Sequence, residues 1–190
     1  MSEALHERKG LPTDLEILLR DYPRKDWARH RNLGAMARFW LQRHDMFRAL
    51  GADLRKGAAS FQNGKQDPQA FWRFFAPRAG TFLNELHGHH HIEDEHYFPV
   101  FRRAEKRLVR GFDILDLDHV TLDREIHDLA DAANAFQRAL QKKGDVRPAA
   151  DRIHRQLEAM QSGVLRHLSD EEDLIIPVIL DQGERKLGIH

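Results

Sequence analysis

LGAMARFWLQRHDMFRALGADL, residues 33–54, carries a 4,3 spacing through Leu33, Ala37, Trp40, His44, Phe47, Gly51 and Leu54, with Arg, Gln and Asp between them. That spacing lays one stripe along an α-helix, whereas a half-buried strand would alternate at every second residue. The stripe is apolar except at His44 and Gly51. A second stretch, opened by Asp67 as N-cap with Pro68 at the first helical position, repeats the period through Ala79, Phe82, Leu86, His89, Glu93, His96 and Val100. A third runs through Leu115, His119, Leu122, Ile126, Leu129, Ala133, Phe136 and Leu140, and a fourth through Ile153, Leu157, Met160, Val164, His167, Glu171, Leu174 and Val178.

Few segments are β-branched and alternating, so the chain reads as all-α. Short connections near 57–67, 105–112 and 141–148 make sequential helices antiparallel, which predicts an up-down-up-down four-helix bundle over residues 26–182. Pro77 is expected to kink the start of the second helix. Residues 1–25 read as an N-terminal extension in which LPTDLEILLRDYP forms a short docking helix, and 183–190 as a tail. No Gly-, Ser- or Pro-rich linker divides the chain, and its 190 residues suit one domain.

Lys plus Arg and Asp plus Glu stand at thirty each, so charge gives no ground for a nucleic-acid or anionic-membrane partner. The lack of cysteine excludes disulfides, thiolate metal sites, iron–sulfur clusters and cysteine nucleophiles. No apolar run approaches the ~18 residues of a membrane span, and MSEALHERKG lacks the layout of a signal peptide. A cytoplasmic protein, monomeric or homodimeric, is the expectation. Thirteen histidines are the compositional oddity.

Burying a polar group without a partner costs roughly 2–7 kcal/mol, so His and Glu do not belong on an apolar seam. Yet His44, His89, Glu93, His119, His167 and Glu171 lie on it at similar depth, with at least one from each helix. The second and fourth helices repeat each other at an offset of 78 residues: HHHIEDEHYFPV from His89 aligns with HLSDEEDLIIPV from His167. His, Glu, Pro and Val coincide, and acidic residues recur at 94/172 and 95/173. In each copy His and Glu stand four apart, one turn, and project from the same face.

Imidazole with carboxylate suits iron, manganese or zinc, and two carboxylates can bridge two cations. Four His and two Glu exceed the needs of one zinc ion. Shared between two ions, they give each two imidazoles and two carboxylate oxygens, leaving room for an oxo or hydroxo bridge and an exogenous ligand.

The pattern H, HxxxE, H, HxxxE, with a proline six residues after each Glu, resembles the hemerythrin-like, or HHE cation-binding, domain over roughly residues 30–180. The resemblance implies a non-haem di-iron centre that binds oxygen or nitric oxide or serves iron and oxidative-stress handling. Zinc and manganese are the expected substitutes for iron. Counting back from Pro99 and Pro177 selects Glu93 with His89 and Glu171 with His167, leaving His87, His90, His91 and His96 surplus. Oxygen-carrying hemerythrins place two histidines one turn apart on the third helix, whereas here Asp123 follows His119. The chain therefore resembles the four-His, two-Glu branch.

Taken singly, His44 or His119 reads more simply as a core or surface histidine satisfied by one hydrogen bond; only the joint pattern reverses this. The EDE and EED runs read as solvated faces beyond their first Glu, His96 as a helix-end residue, and Asp123 as either an acceptor for an imidazole N–H or a surface group. Two functions follow. In the first, a metal-binding protein captures a small diatomic ligand, with the four histidines as terminal ligands and Glu93 and Glu171 as bridges. In the second, an enzyme consumes peroxide or oxygen at the same centre, with Tyr97 or a surplus histidine as the acid.

Overall fold

A computed structural model describes residues 3–64 and 66–189, and among these every regular element is helical, with no strand. A 3₁₀ turn at Thr13–Leu15 leads into two short helices, α1 (Ile17–Asp21) and α2 (Arg24–Trp27). Then come the long α3 (Ala35–Gln62) and α4 (Pro68–Ile92), a π-helical turn (Glu93–Tyr97), and the short α5 (Phe98–Ala104). The long α6 (Val109–Gln141) and α7 (Arg147–Gln182) follow, and α8 (Glu184–Leu187) ends the fold.

The caps follow from local chemistry. Asp67 accepts from the backbone N–H of Gln69 (3.2 Å) and Ala70 (2.8 Å), and Pro68 occupies the first turn where no N–H is needed. The N-terminus of α3 is capped from the far end of the chain: Glu184 accepts from Ala37 N–H at 2.8 Å. Gly34 makes room for that carboxylate, since a Cβ there would lie 2.0 Å from its oxygen. Pro77 lies inside α4, which runs as one helix from Pro68 to Ile92.

The 4,3 register of the second stretch fails after Glu93, where the π-helical turn inserts one residue into the winding. His96 is consequently exposed and Val100 only half-buried, while Phe98 and Phe101 take the inward positions. His96 is thus not a seam residue.

Each long helix packs against two others: α3 on α4 and α7, and α6 on α4 and α7. Their apolar faces form not one core but two. One holds Phe47, Phe82, Leu86, Leu122, Met160 and Val164, and the other holds Trp40, Phe98, Phe101, Leu115, Leu174 and Val178. On every long helix the change from one core to the other falls at a polar residue: His44, His89 to Glu93, His119, and His167 to Glu171. A buried polar layer cuts the apolar interior in two. The leading segment packs over this interior, with Leu5 joining one core and Leu11, Leu15, Leu18 and Trp27 the other. Among the described residues, no helix is long and apolar enough to cross a membrane.

Candidate metal centre

The six seam residues meet in that layer. His44, His119, His167, Glu93 and Glu171 are all buried, and the His89 side chain is 10% exposed. On one side, the Nε2 atoms of His44 and His89 stand 3.1 Å apart. On the other, those of His119 and His167 are also 3.1 Å apart. Two ligands at right angles on one ion would be separated by about 3 Å, given metal–nitrogen bonds of about 2.1 Å.

The carboxylates lie between the pairs, one oxygen toward each. Glu93 sets Oε1 2.8 Å from His89 Nε2 and Oε2 3.5 Å from His119 Nε2. Glu171 sets Oε1 3.4 Å from His44 Nε2 and Oε2 3.3 Å from His167 Nε2.

The outer ring nitrogens explain why the Nε2 atoms face inward. His44 Nδ1 lies 2.9 Å from Glu172, His119 Nδ1 2.7 Å from Asp94, and His167 Nδ1 3.2 Å from Asp118. A carboxylate accepting from Nδ1–H fixes the tautomer that leaves the Nε2 lone pair free. Asp118 is in turn gripped by Arg8, whose Nη1 donates to Oδ1 at 2.6 Å and whose Nε donates to Asp170 at 2.7 Å. Trp40 Nε1–H donates to Glu171 Oε1.

Several inward atoms have no hydrogen-bond donor: both oxygens of Glu93, Oε2 of Glu171, and Nε2 of His90 are buried and unpartnered. Each such atom costs about 1–3 kcal/mol unless something else satisfies it. Electrostatics carries the same conflict. Burial and the neighbouring Glu171 charge push the Glu93 carboxyl well above its ordinary range. Burial would do the same to Glu171, but His44 and His167 hold it well below. Burial opposes charge on His167, yet Asp118 and Glu171 win and raise it to about 9. Burial pushes His89 down to about 3 against the pull of Glu171. A cation resolves the conflict, because both carboxylates can then be charged and every imidazole neutral. The donor set therefore fits a metal on chemical grounds. Among the described residues, two groups of side chains converge closely enough to hold an ion each: His44, His89, Glu93 and Glu171, and a trio of His90, His119 and His167.

His90 corrects the sequence reading, which placed it off the seam. It is buried, stacks on His119 with ring centroids 4.1 Å apart, and meets His167 edge-on at 5.2 Å. The reason is geometric. Since α4 packs between α3 and α6, its inner face is broad enough for two successive residues, His89 toward His44 and His90 toward His119. His87 and His91 are exposed on their side chains, at 62% and 63%.

The acidic runs need a second correction: Asp94 and Glu172 are the acceptors for His119 and His44, so neither is merely solvated. The 78-residue repeat already aligned them, and that signal was available. Asp118 had only its place beside His119. Asp123, the acceptor weighed from sequence, instead pairs at the surface with His87 at 3.1 Å.

A cavity of about 370 Å³ opens between α3 and α4 and reaches the layer at His89 and Glu93, with Met36, Phe39, Trp40, Ile92 and Tyr97 among its walls. Phe39 and Ile92 are exposed at 55% and 48%.

The family profile of the hemerythrin HHE cation binding domain matches the chain over residues 35–137 and again over 110–190. The first span contains His44, His89, Glu93 and His119, and the second contains His119, His167 and Glu171. No curated protein and no solved structure matches the chain.

Proposed function

Because this chain belongs to the hemerythrin HHE cation-binding domain family, we propose that it holds two iron ions and captures a small diatomic ligand, oxygen or nitric oxide, beside them. The observation that carries this reading is the pairing of four inward Nε2 atoms across two buried carboxylates, three of whose four oxygens lack a hydrogen-bond partner. His44 and His89 serve one ion, His119 and His167 the other, and Glu93 and Glu171 bridge them. The up-down-up-down order of the bundle is supported by the two cores, since α3 and α6 pass from the Trp40 core to the Phe47 core and α4 and α7 pass back. Residues 26–182 form the binding unit in this reading, with 1–25 an extension braced on it through Arg8.

When bound, iron supplies a redox-active Lewis acid. The chain's own residues do the rest. Glu172, Asp94 and Asp118 orient the imidazoles, Trp40 fixes Glu171, and the two flanking cores exclude bulk water. Phe39, Ile92, Met36 and Tyr97 line the approach, which admits small neutral or singly charged molecules to the His89 side of the layer.

Azide added to the oxidised, iron-loaded protein, or nitric oxide to the reduced one, is expected to shift the metal-centred absorption. Spectra of fully loaded protein that neither ligand perturbs would show a closed, structural site and end both readings of the function.

The second reading, an enzyme consuming peroxide or oxygen, is favoured by Tyr97. It lies against Trp40 at 5.0 Å between ring centroids and lines the same cavity as His89 and Glu93, with its hydroxyl 3.7 Å from Met36 Sδ, and it is the proton source that this reading assigns. That reading requires peroxide loss that Tyr97→Phe slows while iron content stays constant.

A further inference from the structure

We propose that metal cations reach the layer through an opening between α4 and α6, apart from the apolar one between α3 and α4. This rests on the two-ion reading above and goes beyond it, since that reading says what the layer holds and not how it is filled.

A cavity of about 340 Å³ lies between α4 and α6, with His87, His91 and Asp123 among its walls at the surface and His90 and His119 in the layer. At the inner end, His90 is buried and its Nε2 has no hydrogen-bond partner. An unpaired buried nitrogen costs about 1–3 kcal/mol, and an arriving cation can use its lone pair. The opening therefore leads to an unsatisfied imidazole.

The outer end offers the same donor chemistry in a displaceable form. His87 Nδ1 lies 3.1 Å from Asp123 Oδ1, and His127 Nδ1 lies 3.7 Å from Oδ2. Two imidazoles and a carboxylate suit iron or zinc, and exposed pairs of this kind are weak enough for a cation to displace.

The local charge has the right sign. Four carboxylates, of Asp94, Asp113, Asp116 and Asp123, stand at this mouth or on its edge against two guanidinium groups. Arg102 is held by both Asp113 and Asp116. Arg124 turns back on its own helix, where Nε donates to the Val120 carbonyl at 3.3 Å. The balance is negative, so the mouth concentrates cations.

The α3–α4 opening differs in kind. Met36, Phe39, Trp40, Ile92 and Tyr97 wall it, and its Arg43 and Glu85 pair with each other at 2.7 Å. A hydrated cation would shed water there with little in exchange before it met His89 and Glu93, whereas a small neutral molecule loses nothing. The two openings thus divide the traffic, cations by one and the diatomic ligand by the other.

The test is the rate at which the metal-free full chain takes up iron(II) without oxygen, with samples quenched in chelator at intervals and the protein-bound iron measured. The wild type is compared with His87→Gln/Asp123→Asn at one mouth and Glu85→Gln at the other. All three side chains are exposed, so the fold is not at stake. The double variant is expected to load about tenfold more slowly, at the lower end of what electrostatic steering contributes, and to reach the same final content. Glu85→Gln should load at the wild-type rate, and azide should bind the loaded double variant as fast as the loaded wild type. Equal loading by the double variant and the wild type overturns the proposal. So does slowed loading in Glu85→Gln, which would put the entrance between α3 and α4. Slowed azide binding in the double variant overturns it too, since one mouth would then serve both. A wild type that ends at one ion per chain fails the two-ion reading, while the difference in loading rate still decides the route.

Discussion

Replacing Arg8 with alanine is expected to lower the thermal unfolding midpoint by on the order of 10 °C, because it takes the shared guanidinium from two buried carboxylates and leaves them only the longer contacts to His167 and Arg166. The guanidinium donates to both oxygens of Asp118 and, through Nε, to Asp170, and all three side chains are about 2% exposed. Removing one partner of such a buried ionic group costs roughly 3–5 kcal/mol, far more than breaking a surface pair. The effect has a sign with pH. Burial alone would raise the Asp118 pKa, but Arg8 and His167 hold it below its ordinary value of 3.8. The stability that this depressed pKa contributes is therefore present above pH 3.8 and is lost as pH falls through the lower folded value. The Arg8→Ala deficit should be largest near neutral pH and shrink in acid. Differential scanning calorimetry at several pH values measures it, and a variant melting within about 2 °C of wild type at neutral pH would show that the leading segment does not brace the layer.

Glu171→Ala is expected to take iron content from about two ions per chain to one or none. Glu171 has one oxygen toward His44 and the other toward His167, so its loss removes a donor from both half-sites at once. Glu93→Ala should behave alike, for Glu93 spans His89 and His119 in the same way. Glu95 supplies the control: two residues from Glu93, its side chain is 53% exposed and reaches only His91, so Glu95→Ala should leave iron unchanged. Full retention of both ions by Glu171→Ala, measured by plasma emission after desalting, would contradict a bridging role.

The four long helices were legible because each repeats the same 4,3 spacing over many turns. The polar layer was legible because His and Glu stand out against an apolar seam. What escaped has physical causes. A single stripe allots one residue to each crossing of the seam, but α4 faces two neighbours, so His89 and His90 both turn inward. The π-helical turn after Glu93 answers to packing around Phe98 and Phe101 rather than to local propensity, and nothing in EDEHY announces it. Asp94 and Glu172 looked like members of solvated acidic runs, and only the internal repeat set them apart. Arg8 lies well outside the bundle stripes and meets its partners 110 and 162 residues away, a pairing with no local signature.

The measurement that bears most directly on the whole account is iron per chain in the purified, iron-loaded protein, taken with its absorption spectrum before and after reduction. Two paired iron ions predict a reproducible value of about two and a visible spectrum that reduction bleaches. A reproducible value of about one, unchanged by His44→Ala and by His119→Ala, would contradict it.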